Sequence, residues 1–185
     1  MPTLTPTMTL SEADILSEVY DLLAHVCDTN QIIRGNQSRE VLPSDDDFII
    51  YTPLFKKRVG TNIHTFNAVG VPDEKNGQYD DTALIMADIQ IDCFGENANV
   101  YATMINLFAN SIVCRDWLVS QNMAIRVTNC TDPQQIDYID DTRQYCNRYM
   151  ITLTVCFNSA LVQGVPWFED VTFKELINVD VRFKP

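Results

Sequence analysis

Histidine is nearly absent from the chain: His25 and His64 are the only two in 185 residues. That is too few for a His-rich metal centre. Basic residues are also scarce, with 13 Lys and Arg against 25 Asp and Glu and a net charge of −12. A protein that holds DNA by neutralising phosphates carries a basic patch, because counterion release supplies much of its affinity. Here the only tight basic cluster is Lys56, Lys57 and Arg58. The plain reading of the acid surplus is solubility; it would also suit a surface past which DNA slides without sticking. No apolar run approaches the ~20 residues that span a bilayer. Met1-Pro2-Thr3-Leu4-Thr5-Pro6 has neither the basic segment nor the apolar stretch of a secretory leader. None of the six cysteines forms a CxxC pair, which excludes a zinc ribbon or a dithiol redox motif. GxxxxGK[ST], GxGxxG, HExxH and GxSxG are all missing.

What is present is ordinary for a folded domain. Hydrophobic residues make up 46% and charged residues 21%, which leaves disorder, collagen and coiled coil as poor fits. The length suits one domain with a real core. Residues 1–10, uncharged and rich in Thr and Pro, read as a flexible arm ahead of a single domain over 11–185.

Ser11 with Asp14 three residues on reads as a capping box. Ile15, Leu16, Val19, Leu22, Leu23 and Val26 then recur at helical spacing, predicting a helix over 11–28. His25, beside that stripe, reads as a partly buried core residue rather than a ligand. Residues 31–47 read as a loop, with Pro43 and the acids Asp45, Asp46 and Asp47. Three strands are expected next: Phe48–Tyr51, limited by Pro53, then 55–59 and 62–69. Residues 71–81 read as an exposed connection.

Thr82–Phe94 is the clearest strand of the first half. Ile85, Ala87, Ile89, Ile91 and Cys93 alternate with Met86, Asp88, Gln90 and Asp92, the pattern of a sheet packed on one face. A second helix is expected over 97–112, with Tyr101, Met104, Ile105, Phe108 and Ile112 in step, continued or restarted around Trp117 and Leu118. Met123–Asn129 reads as a strand and 131–142 as an acidic loop with Asp137, Asp140 and Asp141. A long strand carries Tyr145 to Phe157 on one face. Gly164-Val165-Pro166-Trp167 reads as a turn, and 171–183 as a last strand. The expected core includes Leu16, Val19, Leu23, Ile89, Ile91, Met104, Phe108, Leu153 and Val155. The fold class is α+β: a single domain whose sheet is mostly antiparallel, with mixed pairing left open, flanked by two main helices.

Catalytic chemistry finds little support. Pro72-Asp73-Glu74-Lys75 touches the carboxylate–lysine pattern of nucleases but sits in a loop without a strand-borne partner acid. Asp88 and Asp92 share a strand face and could approach a divalent ion; solvated alternation explains them better. No catalytic residue, metal ligand or cofactor is assigned.

Ile32-Ile33-Arg34-Gly35-Asn36-Gln37, Leu42-Pro43, Phe48-Ile49-Ile50-Tyr51-Thr52-Pro53-Leu54 and Arg58-Val59-Gly60-Thr61-Asn62-Ile63-His64-Thr65 resemble, in order, a family of tailed-phage neck proteins assigned as tail terminators. Gln90-Ile91-Asp92-Cys93-Phe94-Gly95, Ala98 and the helix to Phe108 resemble the same family. The likeness covers roughly residues 12–160 and rests on no single diagnostic motif.

The resemblance implies a non-enzymatic virion protein assembled in the host cytoplasm. It implies a homohexameric ring that caps the tail tube, ends its growth and joins the tail to the head-side connector. Implied partners are further copies of the chain, the tail tube protein and the head-side neck (stopper) protein, with the tail sheath also allowed. Genomic DNA would pass through without specific binding, and no membrane is involved. Another neck ring (a head-completion stopper or a tail-completion protein) stands as the alternative, with a metal-dependent nuclease behind it.

Under this reading Arg34, Arg39, Lys56, Lys57, Arg58 and His64 are candidates for subunit or partner contacts. Asp45, Asp46, Asp47, Asp137, Asp140 and Asp141 are candidates for the channel or ring faces. The arm at 1–10 and the loops at 31–47 and 56–81 are the expected neighbour contacts; the simpler account of the Lys56–Arg58 trio is a solvated charge run. The cysteines are expected to be six free thiols, several of them small buried hydrophobes. Alkylation of the unfolded chain without reductant should therefore add six labels by intact mass; fewer labels would reveal disulfides.

Overall fold

The computed structural model describes residues 7–27, 31–36, 47–68, 76–136, 138–139 and 145–166. The elements in chain order are β1 (Thr7–Met8), α1 (Glu12–Val26), β2 (Ile32–Arg34), β3 (Phe48–Ala68), β4 (Asn76–Phe94), α2 (Ala98–Ala109), α3 (Ile112–Ser120), β5 (Arg126–Cys130), β6 (Gln134–Gln135), β7 (Tyr138–Ile139), β8 (Tyr145–Cys146) and β9 (Arg148–Pro166). The expected strand at 171–183 and Trp167 lie outside the described residues.

The architecture is α+β with a mostly antiparallel sheet. Its main path runs β1-β9-β4-β3-β2; β5 and β6 also pair with β9, and β7 with β8 form a separate two-stranded ribbon. The β2–β3 pair is parallel. Strand β4 lies between β3 and β9, and its antiparallel register with β9 is unbroken from Asn76 opposite Pro166 to Phe94 opposite Arg148.

Period-two alternation directs the packing. Ala87, Ile89, Ile91 and Cys93 of β4 and Ile151, Leu153, Val155 and Phe157 of β9 are buried together with α1 residues Ile15, Leu16, Val19, Leu22 and Leu23. Helix α1 starts where the capping box was read: the Ser11 hydroxyl accepts from the Asp14 amide, and the Asp14 carboxylate accepts from the Ser11 amide. Those bonds to Ser11 hold the Asp14 carboxyl below its usual range.

The second helical region differs from its expectation. Its buried residues are Ala98, Ala102, Ile105 and Ala109, while Met104 is 42% exposed. Small side chains let α2 approach the sheet, and Met104 falls on the opposite side. The region also ends at Ala109 and restarts as α3 after Ser111, whose hydroxyl accepts from the Cys114 amide as a new cap. Phe108 packs against the core from a half-buried position.

The three short strands expected over 48–69 are one strand of 21 residues. Pro53 sits within it, opposite Ile89, and a register shift with Leu54 as the extra residue follows at once. Proline is tolerated there because, among the described residues, β2 covers β3 only as far as Tyr51 and no ladder partner faces the position of the missing N–H. A second irregularity separates Val59 from Ile63, with Gly60 at φ +85°.

Three loop readings are likewise corrected. Ile32–Arg34 is a strand, Asn76–Asp81 belongs to β4, and Gly164–Pro166 continues β9 rather than turning. Sequence pattern saw separate turn signals where long-range pairing overrides them. Met123–Ala124 precede β5 rather than open it, and 131–142 contains β6 and β7.

Leu153→Ala should cost about 2–5 kcal/mol, because Leu153 is fully buried. Met104→Ala should cost well under 1 kcal/mol, as an exposed position does. Urea unfolding of both variants checks the face assignment of α2.

Candidate subunit-contact surface

The apolar core beneath the packed face of the sheet runs as far as Ala87 and Phe157, with Ser159 and Gly77 also buried further along. Beyond that line β3, β4 and β9 run on together as an arm, from about Arg58 to Ala68 on β3, Asn76 to Ile85 on β4 and Phe157 to Pro166 on β9, and the short β1 pairs with its β9 edge at Leu161 and Val162. Apolar side chains project from both of its faces. Phe66, Tyr79 and Leu161 share the face that continues the packed side of the sheet, and Val59, Ile63 and Leu84 lie on the other. The Phe66 and Tyr79 rings meet at 4.9 Å. Gly77 lies under Phe66: a Cβ there would come within about 2.5 Å of the ring.

The basic trio is tight in sequence and divided in space. Lys56 lies opposite Ala87 and Arg58 opposite Ile85, on the packed side, whereas Lys57 lies opposite Met86. The Lys56 ammonium reaches Glu12 at 2.8 Å and the Arg34 guanidinium reaches the same carboxylate at 3.4 Å. Hydrogen bonding and charge from Lys56, with a smaller contribution from Arg34, hold the Glu12 carboxyl below its usual range. These two candidates therefore fasten β2, β3 and the first turn of α1 to one another. Arg58 donates to Asn62 at 3.1 Å. His64 pairs with Asp81 directly across the hairpin and is otherwise open to solvent.

Asp47 is also engaged. Its carboxylate accepts from the Asn97 backbone at 3.1 Å and from the Asn97 side-chain amide, which ties the start of β3 to the start of α2. The tie needs Gly95, at φ +104°, because a Cβ there would meet the Asp47 backbone at 2.9 Å. Arg39, Asp45, Asp46, Asp137, Asp140 and Asp141 lie outside the described residues, as does Glu74.

The polar face of β4 corrects the reading of solvated alternation. Asp92 is buried and accepts from Arg148 Nε at 3.1 Å and Nη2 at 2.9 Å, and from Gln90 at 2.7 Å. Arg148 lies over the Phe94 ring, which stacks on Phe48 at 4.6 Å. Asp88 accepts from the Thr154 hydroxyl at 2.7 Å. Both carboxylates are thus held by neighbours on β4 and β9. Among the described residues no three His, Cys, Asp or Glu side chains gather as a metal site would require.

Other contacts were not visible in the sequence. Glu18 accepts from the Ala124 and Ile125 amides, both at 2.9 Å, pinning α1 to the start of β5. Asn106 and Asn110 donate to the Cys130 carbonyl, docking α2 on the end of β5. His25 is exposed rather than partly buried, and stacks on Trp117 at 4.3 Å. A helix surface gives no pattern for such contacts when their partners are a hundred residues away.

Cys27, Cys93, Cys114 and Cys130 are buried, Cys156 is half-buried, and all five are free. Burial pushes the thiols of Cys27 and Cys130 up to about 12 and that of Cys114 to about 11, so they stay protonated and inert. A cleft of about 340 Å³ between α1 and the Leu54 bulge is lined by Ile15, Leu16, Phe55 and Ile89 with the Glu12–Lys56 pair.

A family model described as phage neck terminator protein matches residues 13–182. The chain belongs to that family. Neck terminator proteins are structural components of the phage tail and neck, and they associate with other tail and neck proteins. Comparison with curated proteins returns no match. Among the described residues of this neck terminator protein, no helix is long and apolar enough to cross a membrane.

Asp92→Ala would leave the Arg148 guanidinium unpaired in a largely dry setting. The expected loss is about 3 kcal/mol, read as a lowered urea midpoint. A loss under about 0.5 kcal/mol, the scale of an exposed pair, would show that water already serves both groups.

Proposed function

We propose that the chain is the repeating subunit of a hexameric ring that caps the finished tail tube, ends its growth and receives the head-side connector. The observation that carries this reading is the arm. Strands β3, β4 and β9 extend past the helices, and apolar side chains project from both faces. A sheet of this kind gains its stability by packing against something, and contiguous exposed apolar surface marks a contact. Membership of the neck terminator family supplies the setting.

A closed ring of identical subunits brings one patch of each copy onto a different patch of the next. Lys57 and Arg58, which make no ion pair among the described residues, are suited to acidic groups of a neighbour. Arg39 belongs to the same proposed contact set. Asp45, Asp46, Asp137, Asp140 and Asp141 are proposed for the channel or ring faces, where like charge discourages phosphate from adhering as DNA passes. The tail tube, the connector and, in a contractile tail, the sheath are the proposed partners, and assembly in the host cytoplasm agrees with the free thiols.

Deletion of the gene in the parent phage tests this. Filled heads should accumulate unjoined, beside tails of irregular length, in negative-stain micrographs. Tails of uniform length that remain unjoined would assign the protein to the joining step alone; normal joined particles would remove it from the neck.

A further inference from the structure

The cleft between α1 and the Leu54 bulge, about 340 Å³ in volume, has a buried apolar floor and an open mouth. Ile15, Leu16, Ala87 and Ile89 of its lining are each no more than 5% exposed, while Leu54 and Phe55 are 50% and 56% exposed. The volume is less than one turn of helix fills, about 420 Å³ for a cylinder 10 Å across, so the cleft takes inserted side chains rather than a packed helix. Beside it the outer edge of β3 has no ladder partner past Tyr51 among the described residues, which leaves room for an extended segment. At the mouth the Lys56 ammonium and the Arg34 guanidinium share the single Glu12 carboxylate. That leaves a net positive charge there, in a chain of net charge −12. Arg58 adds to it from two residues further along the same side of β3, without an ion pair among the described residues.

The sequence holds one segment of matching chemistry. Trp167-Phe168-Glu169-Asp170 contains the only two adjacent aromatic residues in the chain, followed at once by two acids. Aromatic anchors seated in pockets carry much of the energy of an interface, and acids beside them suit a basic mouth.

We infer that the cleft of each copy seats the Trp167–Phe168 pair from the arm tip of a neighbouring copy, with Glu169 and Asp170 meeting Lys56, Arg34 and Arg58. This inference rests on the ring reading and names the joint between successive subunits. Reach excludes the copy's own cleft. Strand β9 ends at Pro166, opposite Asn76 at the arm tip, whereas the cleft lies beside Phe55, which pairs with Asp88. The two places are 88 − 76 = 12 residues apart on β4, about 40 Å at strand spacing. Trp167 and Phe168 stand one and two residues past Pro166, within about 7 Å of chain. The anchor in a given cleft therefore comes from a second copy. Tip of one subunit into body of the next is a heterologous contact, the kind that closes a ring.

The test places a benzophenone amino acid at Phe168, and separately at Leu54, in protein that complements the gene deletion; purified particles are then irradiated. Leu54 is half-exposed on a bulge, so its replacement leaves the core intact. Mixing isotopically light and heavy copies separates links between copies from links within one. The expected product joins position 168 of one copy to a peptide of another that contains Leu54 to Lys56 or Ile15 and Leu16. The probe at position 54 should reciprocally reach the peptide that holds Trp167. Leu54→Glu, which sets an acid against Glu169 and Asp170, should lower the yield from position 168 by at least about tenfold. An unchanged yield would overturn the inference, as would links only within one copy, only to a different protein, or between copies at any other segment. A lysine-reactive cross-linker on the same particles reads the ring independently. Species of up to six copies keep the ring reading whatever the probes report; monomers alone remove both.

Discussion

Strand β4 is hydrogen-bonded on both sides along nearly its whole length, and nothing else in the molecule has a fixed place until its phase is set. A one-residue slip in a strand exchanges its two faces. On β4 that would send Asp88, Gln90 and Asp92 beneath the helices and expose Ile89, Ile91 and Cys93. The unbroken register with β9 prevents this over all 19 residues. Irregularity is confined to β3, the outer partner, where Leu54 bulges and the chain relaxes around Gly60. After the first bulge Lys56 rather than Phe55 lies on the packed side, and this is what brings its ammonium to Glu12 and locks the first turn of α1 onto the sheet.

The local grammar of the fold was readable and its long-range pairing was not. The capping box, the α1 stripe and the odd–even pattern of β4 and β9 are short-range patterns, and all three appear in the structure. The length of β3 was not readable, because Pro53 and Gly60 are strand breakers by local rule and are tolerated only beside an open edge or a bulge. Met104 misled for a related reason. Helical spacing makes a stripe of large residues, and α2 instead buries its alanines and presents the large side chains outward. The family was legible in the ordered strings from Ile32 to Phe108. The surface was not, since the trio at Lys56–Arg58, tight in sequence, divides between the two faces of its strand.

The polar side of the sheet shows how a buried charge is accommodated without becoming a reactive site. Arg148 supplies two donors to one oxygen of Asp92, Gln90 satisfies the other, and the guanidinium rests over Phe94. Every partner comes from β4 or β9, so the cluster is completed only in one register. A charged group buried in this way discriminates between alignments more than it adds stability. The thiols follow the same economy: small, protonated and packed, they act as side chains of the core rather than as reagents.

The arm has a thermodynamic consequence for β4, a strand that begins outside the core and ends inside it. Opening β4 at Ile89 or Ile91 requires disrupting the helical layer, whereas opening it between Gly77 and Ala83 leaves that layer in place. One continuous element therefore holds two regimes of local unfolding, and amide protection along it grades from near-global to marginal. A neighbour that covers the arm removes the grading without altering a single bond inside the subunit. Quaternary packing would then be recorded in the exchange rates of a strand whose backbone geometry stays the same.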